Sequence, residues 1–194
     1  MEMDLTVLHL LSNPIVINLV TESVLDEGID RYTCATTITR NDGTFLFLYL
    51  PQTSAAVELP AIVLEVQKDV GTTSMKRSIE YCLQVSEQYS YEVYFILLCT
   101  DQISRSVKER LSANLDNLYR QQLHSVFWAK PCLFILKATI SSDSEDAEQD
   151  LDPLAVLTLY IASNNEERLK LKDVANSTIQ LLSTMFESAG SEMW

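Results

Sequence analysis

Apolar residues recur along the chain with two different periods, and the switches between those periods mark out its elements. Residues 13 to 27 carry Ile15, Val16, Leu19, Val20, Ser23 and Val24 at helical spacing and stop before Gly28, which predicts a helix ended by that glycine. "YTCATTITRNDGTFLFLYLPQ" then sets a threonine-rich run and an aromatic-aliphatic run on either side of Asn41-Asp42-Gly43, residue types that accept tight-turn conformations. The pattern predicts a hairpin with strands at about 32–39 and 44–50. Pro51 closes it, and Pro60 introduces "AIVLEVQ", a third strand over 61–67.

After Gly71, the hydroxyls of Thr72, Thr73 and Ser74 suit a helix start, and Met75, Ile79, Cys82, Leu83 and Ser86 follow at helical intervals up to Tyr89. "YEVYFILLCT", residues 91–100, is apolar nearly throughout and predicts a central strand buried on both faces. A strand, a helix and a strand in that order make the third and fourth strands parallel, joined by a right-handed crossover. "SRSVKERLSANLDNLYRQQL" from Ser104 reads as a polar helix with Val107, Leu111, Leu115 and Leu118 on one face, and "CLFILKATI" as a fifth strand. Asp152 and Pro153 predict a capped start for the apolar helix "LAVLTLYIAS". A last helix over about 166–188 is expected to turn Leu169, Leu171, Val174, Ile179, Leu182 and Phe186 to the core. No internal repeat is present, so the expectation is an α/β fold with a mixed sheet, helices on both faces, and one domain over 1–194.

Composition narrows the function classes. At 194 residues and 47% apolar, the chain can bury a core of ordinary size without staples. Its four cysteines lie far apart in apolar runs, with no histidine beside them, and read as reduced thiols of an intracellular protein, nuclear or cytoplasmic. The amino terminus has acids where a secretory signal has lysines, and no run of eighteen apolar residues predicts a membrane span. With 14 basic and 27 acidic residues, the net charge of -13 repels phosphate backbones unless basic groups gather on one face or metal ions intervene. Residues 141–152, "SSDSEDAEQDLD", read as a solvated acidic loop, and its serines precede acids in the manner of a phosphorylation target.

Two polar residues stand out within the apolar third strand. Alternation puts Glu65 and Gln67 on one face, with Ile62, Leu64 and Val66 on the other. The stretch "IVLEVQKDVGTTSMKRSIEYCLQVSEQYSYEVYFILL" resembles the PD-(D/E)XK restriction-endonuclease-like superfamily. Within it, the sequence is similar to the transposase-derived, recombination-promoting nuclease-like group, including divergent members expanded in some fungi. That group typically has [I/L/V]-E-[I/V]-Q in the third strand, followed by an Arg and a Tyr one helical turn apart. Glu65, Gln67, Arg77 and Tyr81 stand in those places. The resemblance covers residues 59–99 firmly and extends back to about residue 13, implying an αβββαβ core.

The resemblance also implies a chemistry. A hairpin Asp and the third-strand Glu hold Mg2+, a residue two positions further on orients the attacking water, and DNA is the partner. Glu65, Gln67 and Asp42 are then the catalytic candidates, Glu65 and Asp42 the metal ligands, and Arg77 and Tyr81 the nucleic-acid contacts. Glu22 on the first helix is a further carboxylate to consider. The chain departs from the general motif in two places. Gln67 replaces its Lys, and an amide orients water without supplying charge. No Asp lies inside the hairpin strands; Asp42 lies in the turn, where turn formation alone explains it. Arg77 is open to two readings, a phosphate contact or a structural partner for Glu65 or another acid. The expectation is a catalytically degenerate nuclease-like protein retained as an interaction module, with no cofactor and an unspecified protein partner. The alternative is an active Mg2+-dependent DNA endonuclease. Oligomeric state stays open.

Overall fold

The computed structural model describes residues 5–25, 30–52, 59–113, 117, 119–142, 151–172 and 176–191. Two helices open the chain, α1 (Leu5–Ser12) and α2 (Pro14–Leu25), followed by the hairpin strands β1 (Tyr32–Thr39) and β2 (Phe45–Pro51). β3 (Ala61–Val70), α3 (Thr72–Tyr89) and β4 (Val93–Ile103) form the crossover unit. A short helix α4 (Arg105–Lys108) leads to β5 (Leu111–Ala113), β6 (Arg120–Leu123) and β7 (Cys132–Leu136). The helices α5 (Lys137–Ser142), α6 (Pro153–Ala162), α7 (Asn165–Leu171) and α8 (Ser177–Ser191) complete the described elements.

The seven strands form one mixed sheet in the order β1-β2-β3-β4-β7-β6-β5. β1, β2 and β3 run antiparallel, β3, β4 and β7 run parallel, and the β5–β6 hairpin returns antiparallel to β7. The expected αβββαβ order and the parallel β3–β4 pair are therefore present. Together they define an α/β fold with a mixed central sheet, an arrangement compatible with the expected restriction-endonuclease-like core.

Each sheet face has its own apolar layer. Ile62, Leu64, Val66, Ile96, Leu98 and Ile135 pack against α1, α2, α6 and α8. On the opposite face Val63, Phe95, Leu97 and Phe134 meet Met75, Cys82 and Val85 of α3. Each such fully buried aliphatic or aromatic side chain contributes about 1.5–3 kcal/mol. Cys82, Cys99 and Cys132 are buried and all four cysteines are free thiols; burial pushes the Cys99 thiol up to about 11, so it stays protonated at neutral pH. Among the described residues no single helix is long and apolar enough to cross a membrane.

Several expectations need correction. The polar stretch after Ser104 is not one helix: it holds a single turn and then the β5–β6 hairpin. The open edge of β7 accepts β6 over Arg120–Gln122, and this pairing outweighs the helical spacing of the local sequence. Only Val107 of the predicted face is buried; Leu111 is partly covered, and Leu115 and Leu118 lie outside the described residues. The last predicted helix is two, α7 and α8. Ile179 and Leu182 are buried and Leu171 packs against the core, but Leu169 is exposed. Val174 and the Phe186 side chain lie outside the described residues. On α3, Val85 faces the core where Leu83 was expected, and Leu83 is exposed. Ser141 and Ser142 end α5 rather than begin a loop, and residues 143–150 lie outside the description.

The capped start of α6 is as expected. Asp152 Oδ1 accepts from the backbone N–H groups of Leu154 and Ala155 at 2.9 and 3.3 Å, with Pro153 at the first helical position.

Candidate functional site

The register of β2 on β3 pairs Phe45 with Val66 and Leu46 with Glu65, so the hairpin tip at 40–44 lies beside the carboxy-terminal half of β3. The first turns of α3 cover the same region, because Gly71 separates β3 and α3 by a single residue. Ser74 fixes that junction: its Oγ accepts from Gly71 N and donates to Gly71 O, both at 3.0 Å. The candidate residues thus converge along the carboxy-terminal half of β3, between the hairpin tip and the start of α3.

Glu65 and Gln67 share a face, as alternation requires, and that face is covered by α3. Glu65 is 0% exposed and Gln67 1%. Glu65 Oε1 accepts from Arg40 Nη1 at 3.1 Å and from Gln67 Nε2 at 2.7 Å, while Oε2 accepts from Ser78 Oγ at 2.5 Å. The amide orientation of Gln67 follows from this, since a carboxylate only accepts and the flipped amide would set oxygen against oxygen. Burial pushes the Glu65 carboxyl above its ordinary value, outweighing the opposing pull of Ser78, Gln67, Arg40 and Arg77. Gln67 Oε1 and Arg77 Nε are buried without a hydrogen-bond partner.

Asp42 holds two positions at once. Its Oδ1 accepts from Thr44 N at 3.1 Å, closing the turn in which Gly43 adopts φ +78°, and its Oδ2 accepts from Arg77 Nη2 at 2.5 Å. Partial burial pushes this carboxyl up, but the bonds from Thr44 and Arg77 outweigh it and hold the group below its ordinary value. Arg77 pairs with Asp42 and not with Glu65. Arg40 is the partner of Glu65.

A groove of about 590 Å³ opens between the hairpin tip and α3, with Arg40, Asp42, Arg77, Tyr81 and Gln84 on its walls. Tyr81 is half-buried there, one helical turn from Arg77, and burial raises its phenol above the ordinary value. Glu22 is exposed on α2 and belongs to the opposite side of the sheet. Lys68 faces away from Glu65, as alternation predicts, and pairs with Asp101 at 3.6 Å.

Mg2+ requires several hard oxygen ligands with lone pairs directed at one point. Here the one buried carboxylate gives both oxygens to side-chain donors, the second carboxylate is engaged by an arginine, and the unpartnered oxygen is a neutral amide's. Among the described residues no three of His, Cys, Asp and Glu gather into a metal-binding group. The residues present do not fit the divalent ion that the motif implies.

Sequence reasoning missed Arg40 and Ser78. Ser78 carries a faint signal, lying one turn beyond Ser74 on the α3 face that also holds Met75, Cys82 and Val85. Arg40 carries none, because no spacing rule links a hairpin residue to a strand residue twenty-five positions later.

The topology defines an α/β protein with a mixed seven-stranded sheet and a polar inlay in β3. No family model matches the sequence, and no curated protein does. A solved structure of EndoMS in apo form is similar at 12% identity and a TM-score of 0.31, over 50% of this chain and 41% of EndoMS. The chain thus spans about two fifths of that structure's length, and so slight a likeness carries no functional weight.

Proposed function

We propose that this chain is a catalytically degenerate relative of the transposase-derived, nuclease-like group, acting through protein contacts rather than by cutting DNA. The supporting observation is the environment of Glu65. A carboxylate that serves as metal ligand or base needs a free lone pair facing substrate, whereas this one is fully buried with Arg40, Gln67 and Ser78 donating to it. Arg40 supplies from within the chain the positive charge that a metal ion supplies in an active relative. Gln67, which stands where the general superfamily motif has a lysine and where this group typically has a glutamine, directs its donor to Glu65 instead of to water. The surface charge agrees, since a chain of net charge -13 gains nothing from approaching a phosphate backbone without cations.

A plasmid-nicking assay with Mg2+ or Mn2+ tests the proposal. Wild type is expected to nick no more than Glu65→Gln, a variant that keeps the shape of the buried network. Metal-dependent nicking by wild type that Glu65→Gln or Asp42→Asn abolishes would overturn the degenerate reading.

A further inference from the structure

Five large apolar side chains are exposed among the described residues, and three of them, Leu83, Val126 and Phe127, meet at one cleft on the α3 side of the sheet. Phe127 is 95% exposed, a considerable cost for a ring of that size. The turn that carries it is nevertheless well fixed. Ser125 is buried and its Oγ donates to Ala129 O at 2.7 Å, while the N–H groups of Trp128 and Ala129 return to Ser125 O. Trp128 anchors the turn edge-on against Phe95, with ring centroids 5.6 Å apart. A rigid turn presenting an uncovered aromatic ring is a pre-organised anchor of the kind that dominates binding energy at interfaces.

The same patch contains the complement of that anchor. Beside the projecting ring is a cleft of about 120 Å³ with Leu83, Val93 and Ala129 in its walls. Glu92 and Lys130 also line it, one of each sign, and neither forms an ion pair among the described residues. We infer that this patch is a homodimer interface, in which a two-fold axis sets Phe127 of each copy in the other's cleft and Glu92 of each opposite Lys130 of the other. An isologous contact needs ring and cleft, and both charge signs, on a single surface, and this surface has them. Two copies of a chain of net charge -13 repel each other overall, whereas the lining charges of this cleft cancel.

Sedimentation velocity on the full chain, over a hundredfold range of concentration from roughly micromolar upward, reads the equilibrium. A monomer–dimer equilibrium is expected, and Phe127→Asp, on the surface and harmless to folding, weakens it by about tenfold or more. Glu92→Lys and Lys130→Glu each weaken self-association alone and form a heterodimer when mixed, because mixing restores both opposite-charge pairs. A wild type that stays monomeric throughout, a dimer indifferent to Phe127→Asp, or charge variants that fail to complement each other would overturn the inference. So would a monomer that binds a different partner through Phe127. The result is independent of the nicking assay, so a failed interface and a failed reading of the Glu65 site are distinguishable.

Discussion

Among the described residues two buried carboxylates are held by arginines, and their settings differ. Asp152 begins α6: one oxygen caps two backbone N–H groups, and the other accepts from Asn117 at 2.7 Å and from Arg120 Nε at 3.0 Å, with Arg120 Nη2 also donating. Every one of those contacts serves the fold, because the charge offsets unpaired donors at a helix start and ties β6 to α6. Glu65 lies in mid-strand, where the backbone is satisfied by the sheet and no helix needs a cap. Its position is explained by nothing in the architecture, and it burdens the fold with a desolvated charge that Arg40, Gln67 and Ser78 exist to offset. A buried charge with an architectural task is part of the fold. One without such a task is what the proposed degenerate reading of the Glu65 site accounts for.

That contrast can be broken by substitution. Asp152→Ala should have the largest effect, about 3–5 kcal/mol in urea unfolding, since it removes a cap and leaves Arg120 without its acid; a loss below 1 kcal/mol, on the order of a surface change, would deny Asp152 its architectural role.

Arg40→Ala should cost about 2–3 kcal/mol at pH 7, because the buried Glu65 carboxyl loses the positive partner that offsets its burial. The cost should shrink as the pH falls from 7 toward 4.5, the ordinary carboxyl value, because burial raises the folded Glu65 value and the proton is taken up before 4.5 is reached. The sign follows from the raised folded value. Above 4.5 the unfolded chain has released a proton that the folded one still holds, so stability from this group is full below 4.5 and lost as the pH rises through the folded value. Adding Glu65→Gln should recover most of the Arg40→Ala loss and flatten that slope. Equal losses at both pH values, or no recovery in the double variant, would separate Arg40 from Glu65.

Arg77→Ala should have the smallest effect, at most about 0.5–1 kcal/mol, because its pair with Asp42 is about 40% exposed on both sides and screened by solvent. A loss as large as that of Arg40→Ala would mean that the hairpin tip depends on Arg77 for its docking.

Much of this architecture is legible in local sequence. The β-branched and apolar runs of β1 to β3, the helical spacing of α3, the turn at Asn41-Asp42-Gly43 and the Asp152-Pro153 cap all act within a few residues, and each was where its pattern pointed. Glu65 and Gln67 share a face because a strand's period is two, whatever surrounds it. The 104–123 stretch is the counterexample: Leu111, Leu115 and Leu118 keep a helical interval, yet β6 is drawn into strand by the open edge of β7, a contact that local spacing does not encode.

The sequence by itself determined the αβββαβ core and the side of β3 on which a carboxylate and an amide appear, since these follow from periodicities and turn chemistry of short range. Only the tertiary structure decided what those groups meet. The docking of the hairpin tip on β3 and α3 chose Arg40 for Glu65 across 25 residues and Arg77 for Asp42 across 35, because an ion pair is selected by register and packing rather than by spacing along the chain.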